Sequence, residues 1–385
     1  MPWTRGHPPE LVAPAARLVG RADGAALSYA GRDVRRWADP LEALAWLPRS
    51  WRDLLLPDDE PWVGYIGYDL GRLFETLPAR AAEVIDAPLF AFGRATPGAP
   101  VSSGAPAVAP HQAGGLRSNF TRPAYLAAVE RALEYIRAGD VFQVNLAQSF
   151  AAPAAEPPLA VYRRLQAATP GEYAAFLDFG DLAVVSNSPE LFFRIEPLPG
   201  GRRRIVNRPI KGTRPRLPGM DRELELSEKD RAELTMIVDL QRNDLGRVCE
   251  VGSVRVTQPR AIEAHPTVYH GVATVEGILR PDVGFVDVLR ALFPCGSITG
   301  CPKIRAMEII DELEPTRRGP YCGAIGQVWA DGTMEFNVAI RTMTFKDGVV
   351  HLPVGGGIVA DSVPEAEYDE TLVKARAMLA ALGFS

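Results

Sequence analysis

The 385-residue chain is 47% hydrophobic and 23% charged, with a formal net charge of -5, which is the composition of an ordinary soluble globular protein. That charge excludes a chain built as a whole to lie on nucleic acid or an anionic membrane, and no run of about 18 apolar residues offers a membrane span. Met1-Pro2-Trp3-Thr4-Arg5 opens no apolar signal segment, and Cys249, Cys295, Cys301 and Cys322 lack a C-x-x-C spacing, so no zinc site and a reducing cytoplasm are expected.

Length alone suggests about two or three domains. In chain order, the first clear element is Trp62-Val63-Gly64-Tyr65-Ile66-Gly67-Tyr68. Residues 96–118 are rich in Pro, Gly, Ala and Ser, the composition of a mobile surface loop or linker. A helix is predicted to start at Thr121, with Pro123 in its first turn, and to bury Leu126, Val129, Leu133 and Ile136. Phe142-Gln143-Val144-Asn145-Leu146 alternates as a strand, with Phe142, Val144 and Leu146 facing a core and Gln143 and Asn145 opposite. Phe336-Asn337-Val338-Ala339-Ile340-Arg341 alternates likewise and puts Asn337 and Arg341 on its polar face. One long helix is predicted over residues 223–244, with Leu234, Ile237, Val238 and Leu245 at the helical period. Ser362-Val363-Pro364-Glu365 reads as a capping box opening a last helix through Leu372, Ala375, Met378 and Leu379. Short strands among long helices, with no internal repeat, indicate an α+β body rather than repeated βαβ units.

Several groups on these elements carry chemistry. Lys211 lies in Arg208-Pro209-Ile210-Lys211-Gly212-Thr213, held between a proline-braced strand end and a glycine. Lining a pocket, its amine is a nucleophile; on an open loop, it is a solvated cation. Like charges at Arg208 and Arg214 would favour its neutral form. Asp230 and Glu233 lie three apart on one helix, and Glu367 and Glu370 lie three apart on another. Brought together, the two pairs suit a hard cation such as Mg²⁺; apart, they are helix-face charges favoured by the macrodipole. Gly355-Gly356-Gly357, between a strand and the last helix, is either an anion cradle or a plain turn, and Gly296 to Lys303 opens a helix at Pro302. Glu190, after Ser188-Pro189 at a sharp turn between apolar strands, is a general acid if buried and a solvated turn residue if not. The run Arg202, Arg203, Arg204, Arg208, Lys211, Arg214 and Arg216 is a possible phosphate patch without the aromatic interleaving of a strand-binding groove. Gly-x-Ser-x-Gly, Gly-x-Cys-x-Gly and dinucleotide fingerprints are all absent, which excludes an α/β-hydrolase elbow and an evident glutaminase nucleophile.

Read together and in order, these segments resemble the chorismate-utilising enzyme family from about residue 120 to 382. The resemblance rests on Phe142-Gln143-Val144-Asn145-Leu146, Ser188-Pro189-Glu190, Pro209-Ile210-Lys211-Gly212-Thr213, and Met236-Ile237-Val238-Asp239-Leu240 with Arg242-Asn243-Asp244-Leu245. It continues through Thr299-Gly300-Cys301-Pro302-Lys303, Tyr321-Cys322-Gly323-Ala324, Ile340-Arg341-Thr342, and Gly355 to Glu370. Residues 1–95 match poorly and carry no equivalent of the tryptophan-feedback segment Leu-Leu-Glu-Ser; residues 119–385 are the implied catalytic region.

The resemblance implies two antiparallel sheets packed across each other, with helices outside and the cleft between. It implies Mg²⁺ held by Glu233 and Glu370, with Glu367 and Asp230 beside it. Arg341, Tyr321 and Gly355 to Gly357 would take the enolpyruvyl carboxylate. Gln143, Gly212, Thr213, His270 and Ser297 would line the ring site, and Lys374 would face the metal-bound carboxylate. The lysine of Pro-Ile-Lys-Gly-Thr is similar to that of members that make 4-amino-4-deoxychorismate from chorismate and ammonia. Members that form anthranilate have alanine there, and isochorismate- and salicylate-forming members have a lysine at the position of Gln143. Lys211 as nucleophile and Glu190 as acid follow from that form, with ammonia supplied by a separate glutaminase subunit. Two other readings stand beside it: amination at C2 with loss of pyruvate, and a chorismate-binding subunit without turnover.

Overall fold

The structure, a computed structural model, describes residue 3 and residues 8–54, 60–94 and 115–384. Two sheets organise it. In spatial order, the eight-stranded sheet contains Glu10–Val12, Tyr173–Asp178, Leu182–Ser188, Thr342–Lys346, Val349–Ile358, Gln143–Pro153 and Gly300–Cys301, with Arg117–Ser118 also on Gln143–Pro153. The twelve-stranded sheet runs from Ile210–Pro215 and Val268–Ile278 through Arg203–Arg208, Leu191–Pro197, Met334–Val338 and Ala324–Val328 to five strands drawn from residues 16–94, with Arg255–Ala264 also on Val268–Ile278. Pairing is antiparallel except between Glu10–Val12 and Tyr173–Asp178. The α+β class and the two sheets match the expectation. Of the stretch expected as a loop, residues 96–114 lie outside the described residues, and its end forms the Arg117–Ser118 strand.

The helix predicted from Thr121 is Arg122–Arg137, and the Thr121 hydroxyl accepts from the Ala124 amide; such a cap contributes about 1 kcal/mol. The helix expected over 223–244 is two, Met220–Leu226 and Glu228–Gly246. Ser227 breaks it, because its hydroxyl caps the second helix by accepting from the Asp230 amide. The last helix is Pro364–Ala381, but its cap residue is Val363, and Leu372 is exposed. Ser362 donates instead to Glu367 Oε1 at 2.6 Å. The glycines Gly355 to Gly357 are not a turn: they belong to the Val349–Ile358 strand, paired with Ala147 to Asn145. Phe142 does not face the core but is 71% exposed, whereas Gln143 and Asn145 are buried.

Two of the chain's passages from one sheet to the other lie side by side. Leu182–Ser188 leaves the first sheet and Leu191–Pro197 enters the second; Met334–Val338 leaves the second and Thr342–Lys346 enters the first. Each pair is hydrogen-bonded to the other. Glu190 is at the first crossing and Arg341 at the second, with Val338 N donating to Glu190 O and Asn187 N to Arg341 O, each at 3.0 Å. Arg341, expected on the polar face of the strand, therefore sits beyond the strand's end at Val338, at a φ of 50°, and Asn337 is a structural residue that donates to Tyr173 O and accepts from Ile325 N.

Candidate active site

At the crossings, side chains from both sheets converge. Lys211 is in the strand Ile210–Pro215 of one sheet, and its Nζ donates to Oε1 of Gln143 in the other at 3.3 Å. The same amine lies 3.6 Å from Glu233 Oε2 on the Glu228–Gly246 helix. Arg208 is paired with Glu263, and Arg214 with Glu223 and Asp230, so the flanking charges expected to act on Lys211 are neutralised elsewhere. The rest of the basic run is dispersed similarly, with Arg202 on Glu250 and Arg204 on Glu196, and is no phosphate patch.

Glu190 is buried, and burial pushes its carboxyl up to about 7 against the Ser297 hydroxyl, Lys211, the Ile210 backbone and Arg341. Its Oε1 has no hydrogen-bond partner among the described residues, nor has the buried Nε2 of Gln143. A buried polar atom left unpaired is costly, so these two atoms mark where a polar ligand would be held. Arg341 is brought beside Glu190, and burial lowers its pKa. Tyr321 reaches the same bend through its neighbour Cys322, whose amide donates to Ala339 O at 2.9 Å. His270 Nδ1 is 2.8 Å from Thr213 Oγ1. Burial, with Arg341 and His265 adding to it, lowers His270 to about 3, so the ring is neutral. Ser297 is buried with its hydroxyl 3.3 Å from Cys295 Sγ.

The glycines act by what they leave out. A Cβ on Gly356 would lie 3.3 Å from Glu367 Oε2 and 3.4 Å from Glu370 Oε1, and one on Gly357 would lie 3.1 Å from the Gln143 amide. Two carboxylates are thus held against a bare strand. Burial and the nearby Glu370 raise Glu367, and Ser362 opposes them. Burial also acts to raise Glu370, but Lys374 at 2.6 Å outweighs it and the net shift is downward. Lys374 donates in addition to Gly355 O at 2.8 Å. Oxygen donors from Glu367, Glu370 and Glu233 suit Mg²⁺, which takes few protein carboxylates and keeps oxygens from water or substrate. Asp230 is bound to Arg214 at 3.1 Å. Among the described residues, no three His, Cys, Asp or Glu side chains already form a metal-ligand group.

Sequence reasoning missed Ser362, which orients Glu367, and Arg214, which ties Asp230. Both were visible as polar residues near the carboxylates, but Ser362 was read as a cap and Arg214 as a charge acting on Lys211. A cavity of about 1080 Å³ lies against the Glu228–Gly246 helix and is lined by Phe142, Leu240 and Ile304, but by none of the site residues above.

The α+β fold brings buried polar and charged side chains of two sheets together where the adjacent crossings lie. Residues 98–380 match the family described as chorismate binding enzyme, and the chain belongs to that family. It is 43% identical over 374 residues to anthranilate synthase component 1 of Thermus thermophilus, covering 93% of this chain and 77% of that one. It is 42% identical over 369 residues to aminodeoxychorismate synthase component 1 of Salmonella typhimurium, covering 88% and 80%. Among solved structures, anthranilate synthase component I from Streptococcus pneumoniae superposes with a TM-score of 0.78 at 30% identity, covering 95% of this chain and 90% of that one. No helix of the described residues is long and apolar enough to cross a membrane.

Proposed function

We propose that the chain is the chorismate-aminating component of an aminodeoxychorismate synthase, forming 4-amino-4-deoxychorismate for p-aminobenzoate and folate synthesis. The relatives divide between two aminations, at C2 and at C4, so overall likeness does not choose. The observation that carries the choice is Lys211 reaching from one sheet to Gln143 in the other, near enough to the buried acid Glu190 to act on its charge.

Arg341 and Tyr321 take the enolpyruvyl carboxylate, as a planar guanidinium suits a carboxylate. Mg²⁺ held by Glu233 and Glu370, with Glu367 beside it, would supply charge neutralisation of the ring carboxylate and polarise the ring. The Lys211 amine forms a bond to C2, the ring double bonds shift, and the C4–O bond breaks. Glu190 gives its proton to that oxygen, which leaves as water. Ammonia then bonds to C4, the C2–N bond to Lys211 breaks, and the Glu190 carboxylate accepts a proton from the added nitrogen. Neutral His270 and the Thr213 hydroxyl line the ring without placing another charge there.

Chorismate, ammonium and Mg²⁺ incubated with the purified chain should give 4-amino-4-deoxychorismate by mass spectrometry and absorbance. Anthranilate instead would establish C2 amination, and no product would leave a binding subunit. The chain holds no glutaminase motif, so glutamine should support turnover only after a separate glutaminase subunit is added; glutamine use by the chain alone contradicts the reading. Glu233→Gln and Glu370→Gln should weaken Mg²⁺ binding by at least the roughly 10- to 100-fold that losing an outer-shell partner costs. Calorimetric titration checks this, and full activity of wild type in EDTA would refute a metal role.

A further inference from the structure

Asp230 was expected beside the metal, yet the structure gives it other work. The strand Ile210–Pro215 pairs with Val268–Ile278 out of step: Ile210 is opposite Val272 and Thr213 opposite His270. The chain thus takes three steps on one strand against two on the other, and the extra residue is a β-bulge at Lys211 and Gly212. Gly212 has a φ of 85°, in the left-handed region that favours glycine. Asp230 packs directly against this bulge: a Cβ on Gly212 would lie 2.8 Å from Asp230 Cγ and 2.6 Å from Leu224 Cδ1. A Cβ on Gly271 would lie 2.5 Å from Lys211 O, so the neighbouring strand also presses on the bulge.

One guanidinium ties these parts together. Arg214 Nε donates to Glu223 Oε1 at 2.9 Å, Nη2 to Asp230 Oδ2 at 3.1 Å and Nη1 to Thr213 O at 3.0 Å. Glu223 is on the helix Met220–Leu226 and Asp230 on Glu228–Gly246. Arg214 therefore joins both helices to the strand that carries Lys211, in the forked geometry that a lysine cannot reproduce. From the bulge, Lys211 reaches toward Gln143 and Glu233, the latter three residues beyond Asp230 on the same helix.

We infer that Asp230 and Arg214 are positioning residues: they clamp the bulge so that the Lys211 amine meets the carbon it attacks, and Asp230 acts through this clamp rather than on the metal. The inference rests on the proposed role of Lys211 as nucleophile. Its consequence is regiochemical. A loosened bulge leaves C2 less often occupied by the amine, and ammonia then reaches C2. A residue that only supported the fold would lower both aminations alike.

The test uses the full chain with Asp230→Asn, which keeps the shape against Gly212, and with Arg214→Met, Arg214→Lys and the double variant Asp230→Asn/Arg214→Met. Three quantities are read: the ratio of C4- to C2-aminated product, the Mn²⁺ affinity by electron paramagnetic resonance, and the labelling rate of Lys211 by an amine reagent followed by peptide mass spectrometry. Each single variant should shift the product ratio toward C2 and raise Lys211 labelling, both by about tenfold, the scale of losing a hydrogen bond to a charged group. Arg214→Lys should not rescue, and the double variant should be no worse than the singles, because the two side chains act as one unit. Mn²⁺ affinity should be unchanged throughout. A tenfold loss of Mn²⁺ affinity in Asp230→Asn alone would make Asp230 a ligand and overturn the clamp. So would a fall in total rate with the product ratio and the labelling of Lys211 both unchanged. If wild type makes no C4 product, the proposed function fails, while the labelling still decides whether the clamp exists.

Discussion

Lys211→Ala should lose at least about 10²-fold in rate, the scale of a positioned catalytic group, and its residual product should carry nitrogen at C2. In the wild type, the amine would occupy C2 and direct ammonia to C4; without it, C2 is the open carbon. From the Ile210–Pro215 strand its Nζ donates to Oε1 of Gln143, across the two sheets. Lys211→Arg should do no better, because a guanidinium stays protonated and cannot attack. The measurement is turnover and product identity for both variants, with circular dichroism to establish folding. Wild-type production of 4-amino-4-deoxychorismate by Lys211→Ala would make the lysine a bystander and leave C4 amination without its nucleophile.

How far the sequence carried depends on whether a signal is local. Thr121 and Pro123 mark a helix start through contacts within one turn, and the helix begins there. The alternation around Gln143 located a polar face, but whether that face meets water or a second sheet is decided by strands far away in sequence. Phe142 shows the reverse error: alternation assigns it to the core, yet it precedes the strand and its side chain is exposed. The helix break at Ser227 did have a local signal, Ser-x-x-Asp over Ser227 and Asp230, which an apolar period running through 223–244 concealed. Three consecutive glycines read equally as an anion cradle or a turn, because glycine is read first as conformational freedom. Here the glycines are in a strand, and their value is the missing Cβ beside Glu367, Glu370 and Gln143. The carboxylate pairs were legible from spacing, but that Asp230 would be taken by Arg214 was not, because a tertiary ion pair leaves no periodic trace.

Glu190→Gln should lower turnover by about 10²- to 10⁴-fold, the range for a general acid, and should change how stability depends on pH. In the proposed reaction the acid form would protonate the leaving hydroxyl. With burial holding the group at about 7 in the free enzyme, kcat/KM for chorismate should fall as pH rises through 7 at a fixed concentration of free ammonia. The same burial has a thermodynamic consequence. The folded value lies above the ordinary 4.5, so between about 4.5 and 7 the native state keeps a proton that the unfolded chain has released. Wild-type stability therefore falls as pH rises through that window, by at most about 3 kcal/mol from this one group. Glutamine has the same shape and no charge, so the variant should melt higher than wild type at pH 8 and close to it near pH 4.5. Calorimetric melts of both proteins at the two pH values provide the check. Equal melting differences at both would mean that the carboxyl is not held neutral by burial, and an unchanged kcat/KM profile in the variant would remove Glu190 from the proton transfer.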